Sequence, residues 1–522
     1  MPNGAQALIQ TLVGAGVDTC FTNPGTSEIH FVAALDSVPE MRAVLTVFEG
    51  VAAGAADGYA RMTGAPAATL LHLGPGLGYG LANFHNARRA KVPVVSIVGD
   101  HATYHAQYDP PLQSDIETIA RNVSTWVRTS RSAEEIGRDG VEAIAAAVGP
   151  PGQVATLIVP ADVSWQEGAE AAAVRGPAAP PSLASAEVVE AVAKALRDSR
   201  RAALMLGGTA LRERGLMAAA RVAAATGGKL FAERSTPRLE RGAGLPAVDR
   251  LAYWPELAAK QLDGFEQLIL VDAKPPVAWF AYPGAQSSLV PEGCQVHQLV
   301  PPACDVLGSL EALVSALDAA GADPAVRTAS VPAPPEGSLT AEKVCQAIGA
   351  VLPEGAIISD EAITSAAALP ANTAGAPRHD WLTLTGGAIG QGLPVAVGAA
   401  VASPDRPVLA LQADGSALYT IQSLWTMARE QLDVTTVIFN NRGYAILAAE
   451  LGRLDEPGAG DRAKALLDLA DPDLDFVKLG SGLGVASRRA ETAEQLTGAL
   501  EEALAEPGPH LIEAVLPAVS KS

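Results

Sequence analysis

A chain of 522 residues exceeds what one hydrophobic core organises, and roughly 150 residues per domain points to about three domains. Hydrophobic residues make up 48% and charged residues 18%, which excludes a disordered or coiled-coil chain. With 37 Lys and Arg against 57 Asp and Glu the net charge is −20, so the surface field opposes binding to nucleic acid or an anionic membrane.

Cys20, Cys294, Cys304 and Cys345 are far apart and include no Cys-x-x-Cys pair, so they read as buried or incidental thiols. The start, Met1-Pro2-Asn3-Gly4, lacks a basic segment followed by an apolar core, and no run of about 18 residues is free of polar breaks. A soluble cytoplasmic protein is expected.

In chain order, the first 165 residues alternate helix and strand patterns. Helical stretches are expected at 4–16, 27–35 and 50–63, and extended ones at 19–23, 43–48, 67–73, 92–98 and 153–159. This is a doubly wound layout. Asn23-Pro24-Gly25-Thr26-Ser27-Glu28 is a turn opening a helix, with Thr26 or Ser27 as N-cap. Glu49 follows the run Leu45-Thr46-Val47-Phe48 and precedes an Ala/Gly-rich helix; by itself it is an acid favoured by a helix N-terminus, in a setting where burial of a carboxylate is costly.

His72 ends the apolar run Leu70-Leu71 and precedes a Gly-rich turn, Gly74-Pro75-Gly76, the position of a core histidine or of a proton-transfer group. Gly74 to Gly80 fits the dinucleotide pattern Gly-x-Gly-x-x-Gly in no register. His101 and His105, four apart after the strand ending at Val98, would face a metal together if helical, but no third ligand is evident.

The Pro/Ala-rich stretch from Ala173 to Pro181 and the Pro-rich residues 324–338 read as linkers. They divide the chain into domains at 1–172, 183–323 and 338–522. The middle one carries strand runs ending at Leu206 and Asp272, as a Rossmann-like layer would.

In the last domain, Val408 to Leu411 and Val434 to Phe439 have strand length and composition, and Ile421 to Gln431 between them alternates as an amphipathic helix does. In this βαβ unit Asp414 and Asn441 leave their strands at the same carboxyl end, where open parallel sheets bind ligands. A carboxylate and an amide oxygen form a hard donor set suited to Mg²⁺ shared with phosphate oxygens. Gly415 and Ser416 would offer backbone N–H groups and a hydroxyl to those phosphates.

Asp414-Gly415-Ser416, followed 27 residues after the Asp by the second Asn of Asn440-Asn441, resembles the motif of thiamine-diphosphate (ThDP) enzymes, although Ala413 stands where the family usually has Gly. Glu49-Gly50 and Ala56-Asp57-Gly58-Tyr59-Ala60-Arg61 resemble the pyrimidine-binding domain of the same family, in the expected order. The resemblance spans the chain. It implies three doubly wound parallel-sheet α/β domains: pyrimidine-binding, central Rossmann-like and diphosphate-binding.

By that resemblance Asp414, Asn441 and the Gly443 carbonyl would ligate Mg²⁺, with Tyr444 near the diphosphate and Thr364 reaching a phosphate. Ile389 of the Gly-rich stretch Thr385 to Pro394 would prop the cofactor, and the Gly387 carbonyl would accept from its 4′-amino group. Glu49 would be the acid/base that bonds the pyrimidine ring. Asn23-Pro24-Gly25 and His72 resemble the benzoylformate decarboxylase branch, which assigns Thr26 to the substrate carboxylate and His72 to proton transfer.

Gly74-Pro75-Gly76 is closer to the acetolactate synthase branch. Where benzoylformate decarboxylases carry a second histidine, this chain has Phe280. His101, His105, Leu112 and Gln113 would line the pocket. Acetolactate synthases hold FAD in the central domain; Gly207-Gly208-Thr209-Ala210 is a weak match and the domain is short, so no FAD is expected.

The implied activity is ThDP- and Mg²⁺-dependent C–C bond cleavage or formation on a 2-keto acid, as a decarboxylase with carboligase capacity. The alternatives are an acetolactate-synthase-like carboligase, a 2-hydroxyacyl-CoA lyase acting on an acyl-CoA substrate, and a non-catalytic ThDP-binding assembly partner. Family architecture implies a homodimer or homotetramer with active sites between subunits.

Overall fold

In the computed structural model, residues 1–173, 181–199, 201–302, 304–453 and 460–519 are described. The stretch expected as a linker from Ala173 to Pro181 lies, over 174–180, outside the described residues.

Strands β1 (Thr19–Asn23), β2 (Arg42–Leu45), β3 (Ala67–Leu71), β4 (Val94–Asp100), β5 (Trp126–Thr129) and β6 (Val154–Pro160) form a parallel sheet in the order β2-β1-β3-β4-β6-β5. Strands β3 and β6 are buried along their whole length, as strands covered by helices on both faces must be. The middle of the chain supplies β7 (Ala202–Leu206), β8 (Lys229–Ala232), β9 (Leu239–Arg241), β10 (Asp249–Arg250), β11 (Gln267–Val271) and β12 (Gln295–Val300); five of these form a second parallel sheet, β10-β8-β7-β11-β12. The last part supplies β13 (Ile357–Glu361), β14 (His379–Thr383), β15 (Val408–Ala413), β16 (Val434–Asn440), β17 (Ala486–Ala490) and β18 (His510–Val515). Parallel pairing runs β17-β18-β16-β15-β13. The three parallel α/β sheets expected from the alternation are present; β9, paired antiparallel with residues His379–Trp381, is an addition.

Two compact units result. Met1–Gly176, Val331–Thr373 and Leu382–Ser522 form one; Pro177–Ser330 with Ala374–Trp381 form the other. The first unit therefore contains both the first and the last sheet. They meet through the helices Glu49–Thr63 and Gly392–Ala402, whose backbones come close because small residues line the seam. A Cβ on Gly398 would lie 1.9 Å from the Ala55 carbonyl oxygen, and one on Gly58 would lie 2.2 Å from that of Val395. Asp57 and Arg61, both fully buried, pair at 2.7 Å in that seam. Arg61 also donates to the Thr383 carbonyl at 2.8 Å, and Gln391 donates to Asp57 at 2.6 Å. Those added bonds offset the desolvation that a buried ion pair otherwise suffers.

Two local expectations change. The strand expected to reach Leu73 stops at Leu71, and Gly74 to Gly80 belongs to the helix Leu73–Ala90. Pro75 suits a first helical turn, where its missing N–H costs nothing. Strand β5 was not anticipated because its four residues are only half-buried and show no apolar run. Among the described residues no helix is long and apolar enough to cross a membrane.

Candidate active site

In the first sheet the chain runs from β1 to β2 on one side and then crosses back over β1 to β3 on the other, and the crevice at the carboxyl ends of β1 and β3, where the strand order reverses, is a ligand site. Asn23 ends β1, Thr26–Glu28 form a single tight turn, and His72 follows β3. The expected N-cap by Thr26 or Ser27 is replaced: the Gly25 N–H donates to the Glu28 carboxylate at 2.9 Å. The same Oε2 lies 2.8 Å from His72 Nδ1. With Glu28 ionised, Nδ1 donates the proton of this bond, which fixes the ring's orientation. Glu28 is buried, which pushes its carboxyl above the ordinary range, while His72 and the Gly25 N–H act against that. Its Oε1 has no protein partner. Gly25 is required by close approach, since a Cβ there would lie 2.2 Å from His72 Nδ1.

Glu49 opens the helix Glu49–Thr63 and is 6% exposed. Burial raises its carboxyl; its own backbone N–H, a hydrogen bond from Asn23 and the charge of His72 oppose the rise. Glu28, His72, Asn23 and Glu49 therefore share one end of the sheet, with Thr26 exposed on the same turn. Val47 and Leu73, adjoining these groups, have φ of 49° and 50°. Ile363 and Arg442, next to Thr364 and Asn441, have 51° and 56°. Left-handed backbone at bulky residues costs of order 1–3 kcal/mol each and collects at functional loops.

His101 and His105 lie on a non-helical loop with rings 5.6 Å apart. Among the described residues no three His, Cys, Asp or Glu side chains are grouped to hold a metal. His101 Nε2, Gln113 Oε1 and Ser114 Oγ are buried without partners. Ser114 packs on Gly74, beside His72, so this segment borders the same turn, with Leu112 exposed on it. Phe280 belongs to the second unit and is 59% exposed there.

In the last sheet the reversal falls between β13 and β15. Asp414 follows β15, is 1% exposed, and takes the Gly415 N–H on Oδ1 at 2.8 Å. Burial raises its carboxyl against the backbone N–H groups of residues 415 and 441–443, and its Oδ2 has no protein partner. Asn441 follows β16, with its amide 3.5 Å from the Ser365 hydroxyl and its Oδ1 taking the Gly443 N–H at 3.1 Å. An unpartnered buried carboxylate oxygen on Asp414, with the backbone of Asn441 close to the same carboxylate, offers hard oxygen donors, and that donor chemistry fits Mg²⁺. Tyr444 lays its ring against Gly415. Thr364 is exposed next to Ser365.

Ser416 has protein partners in this turn. Its hydroxyl takes the Gln412 amide at 2.7 Å and faces the Ala413 and Glu361 carbonyls, so it braces the turn from beneath. Gly387, exposed with φ of 80°, and half-buried Ile389 sit in the loop leading to the helix Gly392–Ala402. Glu361 at the end of β13 is 1% exposed, and burial pushes its carboxyl up to about 7.

Glu28, Glu361 and Asn86 were not singled out by sequence reasoning. The three-residue spacing of Gly25 and Glu28 in a turn was the one local signal available.

A model described as thiamine pyrophosphate enzyme, N-terminal TPP binding domain, matches residues 2–122, and the corresponding C-terminal TPP binding domain matches residues 364–514. A Mycobacterium tuberculosis protein provisionally named acetolactate synthase large subunit IlvX is 57% identical over 521 residues, 99% of each chain. Benzoylformate decarboxylase of Pseudomonas aeruginosa is 29% identical, covering 95% of this chain and 96% of its own. Among solved structures, the thiamine diphosphate-dependent 4-hydroxybenzoylformate decarboxylase of Rhodococcus jostii RHA1 matches with a TM-score of 0.85 at 25% identity, over 99% of each chain. The two matched segments carry the two crevices described above, and the likeness runs the length of the chain: it belongs to the thiamine pyrophosphate enzyme family, as an enzyme of the acetolactate synthase and benzoylformate decarboxylase group.

Proposed function

We propose that this enzyme decarboxylates a 2-keto acid with ThDP and Mg²⁺ and releases the corresponding aldehyde. The observation that carries the reading is the 2.8 Å bond between His72 and buried Glu28, beside Glu49. An aldehyde forms only if a proton is delivered where CO₂ has left, and an oriented imidazole backed by a carboxylate is built for that delivery. When bound, ThDP supplies the electron sink for the departing CO₂. Glu49 holds or releases a proton at the pyrimidine ring, and its raised carboxyl suits that exchange. Thr26 contacts the substrate carboxylate. Asp414, Asn441 and the Gly443 carbonyl hold Mg²⁺, Tyr444, Thr364 and the turn at Gly415 face the diphosphate, and Ile389 and the Gly387 carbonyl support the cofactor's ring system.

Glu49 lies with Asn23 and His72, whereas Asp414 lies with Asn441 and Ser365. The family resemblance, which places Glu49 in the pyrimidine-binding domain and Asp414 in the diphosphate-binding domain, supports a site completed by a second copy of the chain, Glu49 of one protomer serving cofactor held by Asp414 of its partner. A carboligase reading is favoured by the Mycobacterium tuberculosis relative's name and by Gly74-Pro75-Gly76.

Presenting the ThDP- and Mg²⁺-loaded protein with aliphatic and aromatic 2-keto acids, and assaying CO₂, aldehyde and 2-hydroxyketone, separates the two. Equal CO₂ and aldehyde are expected with at least one acid. CO₂ accompanied only by a ligated product would overturn the decarboxylase reading.

A further inference from the structure

The loop from Thr385 to Gln391 contains three glycines and has little stiffness of its own. It is nonetheless gripped from two sides. On one side stands Asn86, fully buried on the helix Leu73–Ala90. Its Nδ2 donates to the Ala388 carbonyl at 2.8 Å and its Oδ1 accepts the Ala388 N–H at 3.3 Å, so one side-chain amide pairs with the main chain as a neighbouring strand would. The Asn86 carbonyl accepts from Thr385 Oγ1 at 2.8 Å, and Asn83 donates to the Gly390 carbonyl at 3.2 Å.

On the other side stands Glu361. Its Oε1 accepts the Gly390 N–H at 2.7 Å, and its Oε2 accepts the Gly392 N–H at 2.6 Å and the Gln412 amide at 2.9 Å. Gln412 continues to Ser416, in the turn that holds Asp414. Two oxygens accepting at once from Gly390 N–H in the loop and Gly392 N–H at the start of the following helix is a task that a carboxylate performs and a glutamine, with one acceptor oxygen, does not. A buried carboxylate is costly to keep, and the three hydrogen bonds that Glu361 accepts offset that cost.

The geometry points to Glu361 and Asn86 as positioning residues of the cofactor site. Together they clamp the loop so that Ile389 and the Gly387 carbonyl stand at a fixed height relative to the turn of Asp414. The inference rests on the reading that this loop supports ThDP.

Calorimetric titration of the Mg²⁺-saturated apo-protein with ThDP tests it, using Glu361→Gln, Asn86→Ala and the double variant. Each single change is expected to weaken binding about ten-fold, and the double by about twenty-fold rather than a hundred-fold, because either change frees the same loop. Losses that multiply independently, or variants that bind ThDP like the wild type while melting earlier, would overturn the clamp. Should Glu361→Gln fail to fold, Asn86→Asp, which keeps the acceptor for Ala388 N–H and loses the donor, decides by the same loss of affinity. Failure of the wild-type protein to bind ThDP would instead overturn the underlying cofactor reading.

Discussion

Glu49→Gln is expected to lower kcat about a thousand-fold while ThDP affinity stays within a few-fold. Glutamine has the same shape and can still hydrogen-bond a ring nitrogen, but it has no proton to give or take, and positioned acid/base groups contribute roughly 10²–10⁴-fold. The setting supports the role. Glu49 is buried, its carboxyl lies above the ordinary range because of that burial, and Asn23 holds it in place. Exchange of the cofactor's C2 hydrogen for deuterium, followed after acid quench, should slow in parallel with kcat. Exchange at the wild-type rate would remove Glu49 from the proposed role, and loss of cofactor from the variant would assign it to binding instead.

Asp414→Ala should weaken Mg²⁺-dependent ThDP binding more than 100-fold, since even residues that merely support metal ligands cost 10–100-fold when changed. The structure points to this outcome through one atom. Asp414 Oδ1 is occupied by the Gly415 N–H, while the buried Oδ2 lacks a protein partner, so the carboxylate is held ready for a ligand that the protein does not supply. Removing the side chain deletes the charge and leaves Asn441 as a neutral donor. Calorimetry with and without Mg²⁺ measures the loss, and wild-type affinity in the variant would mean that the metal is held elsewhere.

Much of this architecture is readable in the sequence because parallel strands buried on both faces leave unbroken apolar runs, as in Ala67–Leu71 and Val434–Asn440. Asp414 and Asn441 were legible because each follows such a run and their strands are neighbours in one βαβ unit. Glu49 was visible as a charge interrupting apolar sequence. The supporting residues were not legible, for a physical reason. Glu28 meets His72 across 44 positions, Glu361 meets Gly392 across 31, and Asn86 meets Ala388 across 302. No local period encodes a pairing created by sheet order and helix seams. Ser416 was legible as part of the motif, but the bond its hydroxyl accepts from Gln412 was not. The helix start at Leu73 was obscured by glycines that read as a turn but are needed for contact, Gly76 facing Glu49 and Gly74 facing Ser114.

Turnover in D₂O of whichever 2-keto acid the loaded enzyme accepts tests the central claim most directly. Proton delivery after loss of CO₂ requires that each molecule of CO₂ be matched by one aldehyde carrying a single deuterium at its carbonyl carbon, as read by mass spectrometry and NMR. Release of CO₂ with the acyl carbon recovered only in a new C–C bond, and no deuterated aldehyde, would contradict the account.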